Sequence, residues 1–190
     1  MVNNFVGHVK PPVSCEGMPT VMSHAVVGLT FGTLSAFPRR RRAFWLASAL
    51  LPVLPDLDVA GRAVGIAFHS PWGHRGVSHS FAAAAVVGVV AALLLHRGLG
   101  ARPAPLAVYF ALITASHGVL DALTDGGPGV AFLAPVDATR YFFPWRPIPV
   151  SPLATNFFSA WGWRVFTAEL AMIWLPAGLV ALLARFCLRR

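Results

Sequence analysis

Two histidines and an arginine stand within six residues in the stretch HRGVSHSF, 74–81, at the edge of a long apolar run. His74 and His79 are five apart, and Gly76 leaves the backbone between them free to turn. Elsewhere, LPDLD sets Asp56 and Asp58 two apart beside Pro55. In an extended or turn segment such residues point to one side, so both carboxylates could meet one ion or bridge two. SHGVLD sets His117 and Asp121 four apart, which stacks them on one helical face. His24 stands near the start of the first apolar run. These seven residues, His24, Asp56, Asp58, His74, His79, His117 and Asp121, form a metal-ligand pool. Mixed nitrogen and oxygen donors suit zinc, manganese or iron. Seven donors over-supply a single ion, whereas two ions about 3.5–4 Å apart fit the count and a hydrolytic mechanism.

Each signal taken alone has a plainer reading. A histidine at a membrane rim is an ordinary interfacial residue, an Asp-Xaa-Asp pair is common in turns, and His117–Asp121 could be a helical hydrogen bond. Asp125, in TDGG, fits a helix-ending turn with Gly126 left-handed. Glu169 reads as a supporting partner of the cluster or as a rim residue inside the last apolar run. Joint occurrence favours the metal site, because ionisable groups near a membrane are costly without partners. Arg75, Arg140 and Arg146 offer planar donor forks suited to phosphate oxygens. Arg75, between the two histidines, is the expected substrate-binding and catalytic cation. Arg140 and Arg146 fit substrate binding and plain headgroup contact equally well. His79 could serve as general acid or base instead of as a ligand.

The elements that must position these groups are apolar helices. Of the 190 residues, 56% are hydrophobic and 12% charged, with a mean hydropathy of +0.66. Soluble domains carry roughly a quarter charged residues, so the composition is that of a membrane protein. The net charge of +8 comes from short basic clusters between apolar runs, a placement that sets orientation in a bilayer rather than binding nucleic acid. Five apolar segments stand out, at 21–37, 43–55, 80–95, 105–120 and 166–186. By these bounds the first and last have the length of a crossing, about 20 residues. The third and fourth are marginal, and the second would cross only with its polar flanks or as a broken helix. With the N-terminus outside, nine of the 15 basic residues face the cytoplasm: Arg39 to Arg42, Arg97, Arg102, Arg185, Arg189 and Arg190. Eight of the 14 His, Asp and Glu residues, the ligand pool and Asp125, then converge on the opposite face.

The expected architecture is an all-α integral membrane protein of about five helices with a polar metal-site cluster at one membrane face. It comprises one transmembrane domain over 20–190, with an interfacial loop at about 126–162. In that loop RYFFPWRPIPVSP mixes aromatics, arginines and four prolines, which rules out a regular helix over 144–152. Residues 1–19 have no apolar core of a signal peptide and read as a disordered tail or a start site set too early. Cys15 and Cys187 lie at opposite ends of the chain and suggest no disulfide framework.

The motifs SHAVVGL, LPDLD, HRGVSHSF, SHGVLDALTDGG and FFPWRPIPVSP, in that order over about residues 20–155, resemble the membrane-bound metal-dependent hydrolases of the bacterial inner membrane, a family also labelled LexA-binding. Ser78 stands where threonine is more usual in that pattern. The resemblance implies a multi-pass inner-membrane hydrolase. With the topology above, its site faces the periplasm, against which the LexA label carries little weight. The expectation is a hydrolase using one or two divalent ions on a phosphoester or other ester of a lipid-like, amphiphilic substrate. Its partners would be membrane lipids and not nucleic acid. The rivals are a metal-ion or proton transporter, which needs ionisable groups at the bilayer midplane, and a scaffold with a structural metal.

Overall fold

The computed structural model describes residues 19–37, 41–151 and 158–187. The expected N-terminal tail lies outside these except for its last residue, as do Arg39, Arg40, Arg189, Arg190 and Pro152. Five helices run in order: α1 (Val21–Leu34), α2 (Arg42–Val64), α3 (Phe81–Leu99), α4 (Pro103–Ala122) and α5 (Ala160–Cys187). Among the described residues there is no strand. Extended pairing is limited to the isolated bridges Thr124–Ile148 and Val130–Tyr141, which pin the long loop between α4 and α5.

Helix lengths depart from the sequence expectation. α1 has 14 residues, about 21 Å at 1.5 Å per residue, and is short for a hydrocarbon core of about 30 Å. It stops early because Ser35 turns extended, its hydroxyl donating back to the Gly32 carbonyl. α2, α3, α4 and α5, with 23, 19, 20 and 28 residues, are each long and apolar enough to cross. α3 gains length from its ends: the Ser80 hydroxyl accepts the Ala83 N–H at the start, and left-handed Gly100 closes the finish. Pro103 opens α4 at a position where no N–H is needed.

α2 is the unusual element. It is α-helical over Arg42–Leu50 and then tightens to a 3₁₀ helix over Leu51–Val64. Such a run is far longer than the three or four residues typical of 3₁₀ structure. Pro52 and Pro55 lack the N–H groups that an α ladder needs there. LPDLD therefore lies inside the second span instead of in a turn beyond it. At three residues per turn, positions two apart point about 120° away from each other. Asp56 and Asp58 consequently do not share a side, contrary to the extended reading.

Packing is tight where small residues let backbones approach. A side chain at Gly88 of α3 would fall 2.7 Å from the Ala107 carbonyl oxygen of α4, and one at Gly28 of α1 would fall 2.0 Å from that of Ser48 on α2. At the end away from the polar cluster, Phe44, Leu106, Phe110 and Ile113 are fully buried, and Ser48 bonds the Tyr109 hydroxyl at 2.7 Å. α5 packs against α1 and leaves most of its apolar surface outward.

Candidate metal centre

Three helices and one connection bring the seven predicted ligands to one place. His24 comes from the first turn of α1, Asp56 and Asp58 from the 3₁₀ part of α2, and His117 and Asp121 from the last turns of α4. His74 and His79 come from the connection between α2 and α3, where Val77–His79 forms a short 3₁₀ turn. His24, His74, His79, His117 and Asp121 are buried.

The donor atoms fall into two groups that share Asp121. Asp56, His74, His79 and Asp121 each offer one atom within 4.8 Å of the others, and so do His24, His117 and Asp121. His117 Nε2 lies 2.9 Å from His79 Nε2 and 3.2 Å from Asp56 Oδ1. His79 Nε2 lies 3.3 Å from Asp121 Oδ2, and His24 Nε2 is 3.7 Å from Asp121 Oδ1. The His24 ring stacks on that of His117 at 3.8 Å between centroids.

The outer ring nitrogens are held so that the inner ones point to the centre. Asp58 accepts from His74 Nδ1 at 2.9 Å and lies 3.1 Å from His79 Nδ1. The Ser78 hydroxyl, which carried no role in the sequence reading, donates to the same carboxylate. Asp58 thus stands behind two imidazoles and fixes their tautomer and orientation, the arrangement found around metal-bound histidines. His117 Nδ1 donates to the Pro52 carbonyl at 2.7 Å. In a 3₁₀ ladder that carbonyl would accept from residue 55, which is a proline, so it is left for His117. The spacing Pro52-Pro55 was the signal in the sequence for this contact.

The inner atoms are poorly satisfied without a cation. Both nitrogens of His24, both oxygens of Asp56 and of Asp121, and His74 Nε2 are buried and make no well-formed hydrogen bond, Asp121 Oδ2 being met by the Arg75 guanidinium as an ion pair. Native proteins rarely tolerate this at one spot, and lone pairs facing a common centre are what a cation requires. The residues present therefore fit a mixed nitrogen and oxygen metal site. Burial alone would lower His79, but the Asp121, Asp56 and Asp58 carboxylates around it outweigh that and raise it to about 10. A metal taking Nε2 would have to displace that proton.

The three predicted arginines divide. Arg75 is fully buried with φ of 60°, its Nε 3.0 Å from Asp121 Oδ2 and its Nη groups donating to the Gly126 carbonyl and the Thr124 hydroxyl. Gly127, at φ 84°, makes room: a Cβ there would sit 2.6 Å from Arg75 Nη1. Left-handed geometry in TDGG thus falls at Gly127 and not at Gly126, and Asp125 turns away to accept the Val150 N–H. Arg140 donates to the carbonyls of His69, Ser70, His74 and Gly129 and stitches the two loops together. Arg146 is exposed and lies over the Phe142 ring.

Glu169 supports the site from α5. It is fully buried at the start of a π-helical turn, Leu170–Trp174, and accepts from the Thr20 N–H, the Thr20 hydroxyl and the Ser23 hydroxyl. A carboxylate there satisfies and complements the N-terminus of α1, one turn before His24.

A helical bundle with a buried His/Asp cluster at one end defines a class, and sequence comparison gives the family. Residues 18–189 match the YdjM inner membrane protein family, and the chain belongs to it. It is also 35% identical over 168 residues to the inner membrane protein YbcI of Escherichia coli (strain K12), an alignment covering 86% of this chain and 95% of that protein. No solved structure matches. With four helices able to cross, this is a multi-pass inner-membrane protein.

Proposed function

We propose that this protein is a membrane-embedded metal-dependent hydrolase whose site opens toward the periplasmic face and acts on a phosphoester or other ester of a lipid-like substrate. The observation that carries the reading is the convergence of inward-facing imidazole and carboxylate lone pairs, with Asp121 common to both donor groups. Asp56, His74, His79 and Asp121 would hold one divalent ion, and His24, His117 and Asp121 a second. Zinc, manganese or iron suits such donors. Bound there, the metal would supply Lewis acidity and a water activated for attack near neutral pH.

The chain's own residues do the rest. Asp58 and the Pro52 carbonyl hold three imidazoles with Nε2 inward, and Arg75 anchors Asp121 between the two groups. The His24 set has three donors, which leaves a coordination position for substrate, as catalytic sites need. His79 is the alternative donor or acceptor of a proton. Arg146, exposed on the loop beside the site, would meet an anionic headgroup. The fully buried Phe44, Leu106, Phe110 and Ile113 offer no relay of ionisable groups to the other face, which argues against transport.

The deep burial of the donors favours a second reading, a structural metal. Elemental analysis of the detergent-purified protein decides whether a metal is there, with Asp121→Ala and His79→Ala beside wild type. One or two equivalents in wild type, lost in both folded variants, are expected. A well-folded wild type that takes up no metal on reloading would sink both readings. Hydrolysis of phosphoester lipids that is lost on chelation while the helices persist marks the enzyme; unfolding on chelation marks the structural metal.

A further inference from the structure

The end of the molecule opposite the metal cluster carries a second feature, independent of the metal. α5 touches the bundle along α1, and between them and α2 an apolar groove of about 490 Å³ remains. Its walls include Val26 and Leu29 of α1, Trp45 of α2, and Trp174, Gly178 and Arg185 of α5. That volume falls within the range of small-molecule sites, about 300–1,000 Å³. From Trp174 to Arg185 the wall runs eleven residues, about 16 Å. This is roughly the depth of one leaflet, half of a core of about 30 Å.

Charge at the groove's mouth is one-sided. Arg185 is exposed at the end of α5. Arg41, Arg42, Arg97 and Arg102 stand at the same end of their helices, whereas the described acidic residues lie at the cluster end or in the loop beyond it. A guanidinium at the polar end of a leaflet-deep apolar slot is complementary to an anionic headgroup above an acyl chain.

We propose that this groove binds one anionic phospholipid of the cytoplasmic leaflet, with an acyl chain between α1, α2 and α5 and its phosphate on Arg185. The alternative occupant, a second copy of the chain against α5, has apolar area in its favour but no acidic group to meet Arg185.

Gly178 gives a test, because it lines the groove and a Cβ added there meets nothing within 4 Å, so a larger side chain has open space to enter. The full-length protein would be reconstituted in nanodiscs of mixed phosphatidylglycerol and phosphatidylethanolamine and released for native mass spectrometry. Wild type should retain one phosphatidylglycerol. Arg185→Gln should lose the preference for it by about fivefold, the worth of one basic side chain at an anionic surface. Gly178→Leu should lose bound lipid of either headgroup, with metal content unchanged in both variants. Equal retention of the two lipids by wild type, or retention by Gly178→Leu, would overturn the proposal. So would a lipid-free dimer that Gly178→Leu dissociates.

Discussion

At the scale of single residues, the centre is organised by groups that never reach its middle. Asp58 is the clearest case, since its carboxylate is engaged by His74 Nδ1, His79 Nδ1 and the Ser78 hydroxyl. Loss of such an outer partner typically costs 10–100-fold in metal affinity (about that range) and leaves the ligands in place. Asp58→Asn keeps the shape but weakens acceptance from two rings. It should bind zinc about 10–100-fold more weakly than wild type, with unchanged stoichiometry at saturation, in competition with a chromophoric chelator. Asp121→Asn, by contrast, touches both donor groups and should lower the stoichiometry itself. Wild-type affinity in Asp58→Asn would place that carboxylate outside the metal's support. Arg75 belongs to the same scale: its side chain is committed to Asp121 and the 124–126 turn, so it bears on the cluster through Asp121's position.

At the scale of elements, the second half of α2 does the most. Because Pro55 has no N–H, the Pro52 carbonyl is available to His117, and because the helix is 3₁₀, Asp56 and Asp58 meet His79 at different ring nitrogens, Nε2 and Nδ1. Pro55→Ala restores an N–H that competes for that carbonyl. The variant should keep or raise its thermal stability while binding metal several-fold more weakly (roughly, as for a lost outer partner). Unchanged affinity would show that His117 does not depend on this carbonyl. The same element marks what the sequence could yield. His117 and Asp121 were legible because an α-helix converts a spacing of four directly into a shared face. LPDLD was legible as part of the site but not in its geometry, which depends on a helix type that two prolines and a long tertiary contact decide together. Glu169 was legible as a supporting partner of the cluster or a rim residue, but the groups it holds were not. Its partners on α1 are 146 and 149 residues away in sequence, and no local pattern announces them.

At the scale of the whole molecule, polarity is sorted end from end. His24, Asp56, His79 and Asp121 gather where α1 and α3 begin and where α4 closes, while Arg41, Arg42, Arg97, Arg102 and Arg185 mark the other end. Basic residues on short connections hold to the cytoplasmic side, so this sorting predicts that the His/Asp cluster faces the periplasm. The chain supplies its own probe: Cys187 is free and exposed at the arginine end of α5. In a Cys15→Ser background, a membrane-impermeant maleimide should label Cys187 only after spheroplasts are permeabilised. A cysteine introduced at Trp145, exposed on the loop beside the cluster, should label in intact spheroplasts. The reverse pattern would turn the protein over in the membrane. It would put the cluster in the cytoplasm and the lipid groove in the outer leaflet, so both proposals would have to be recast around a cytoplasmic substrate.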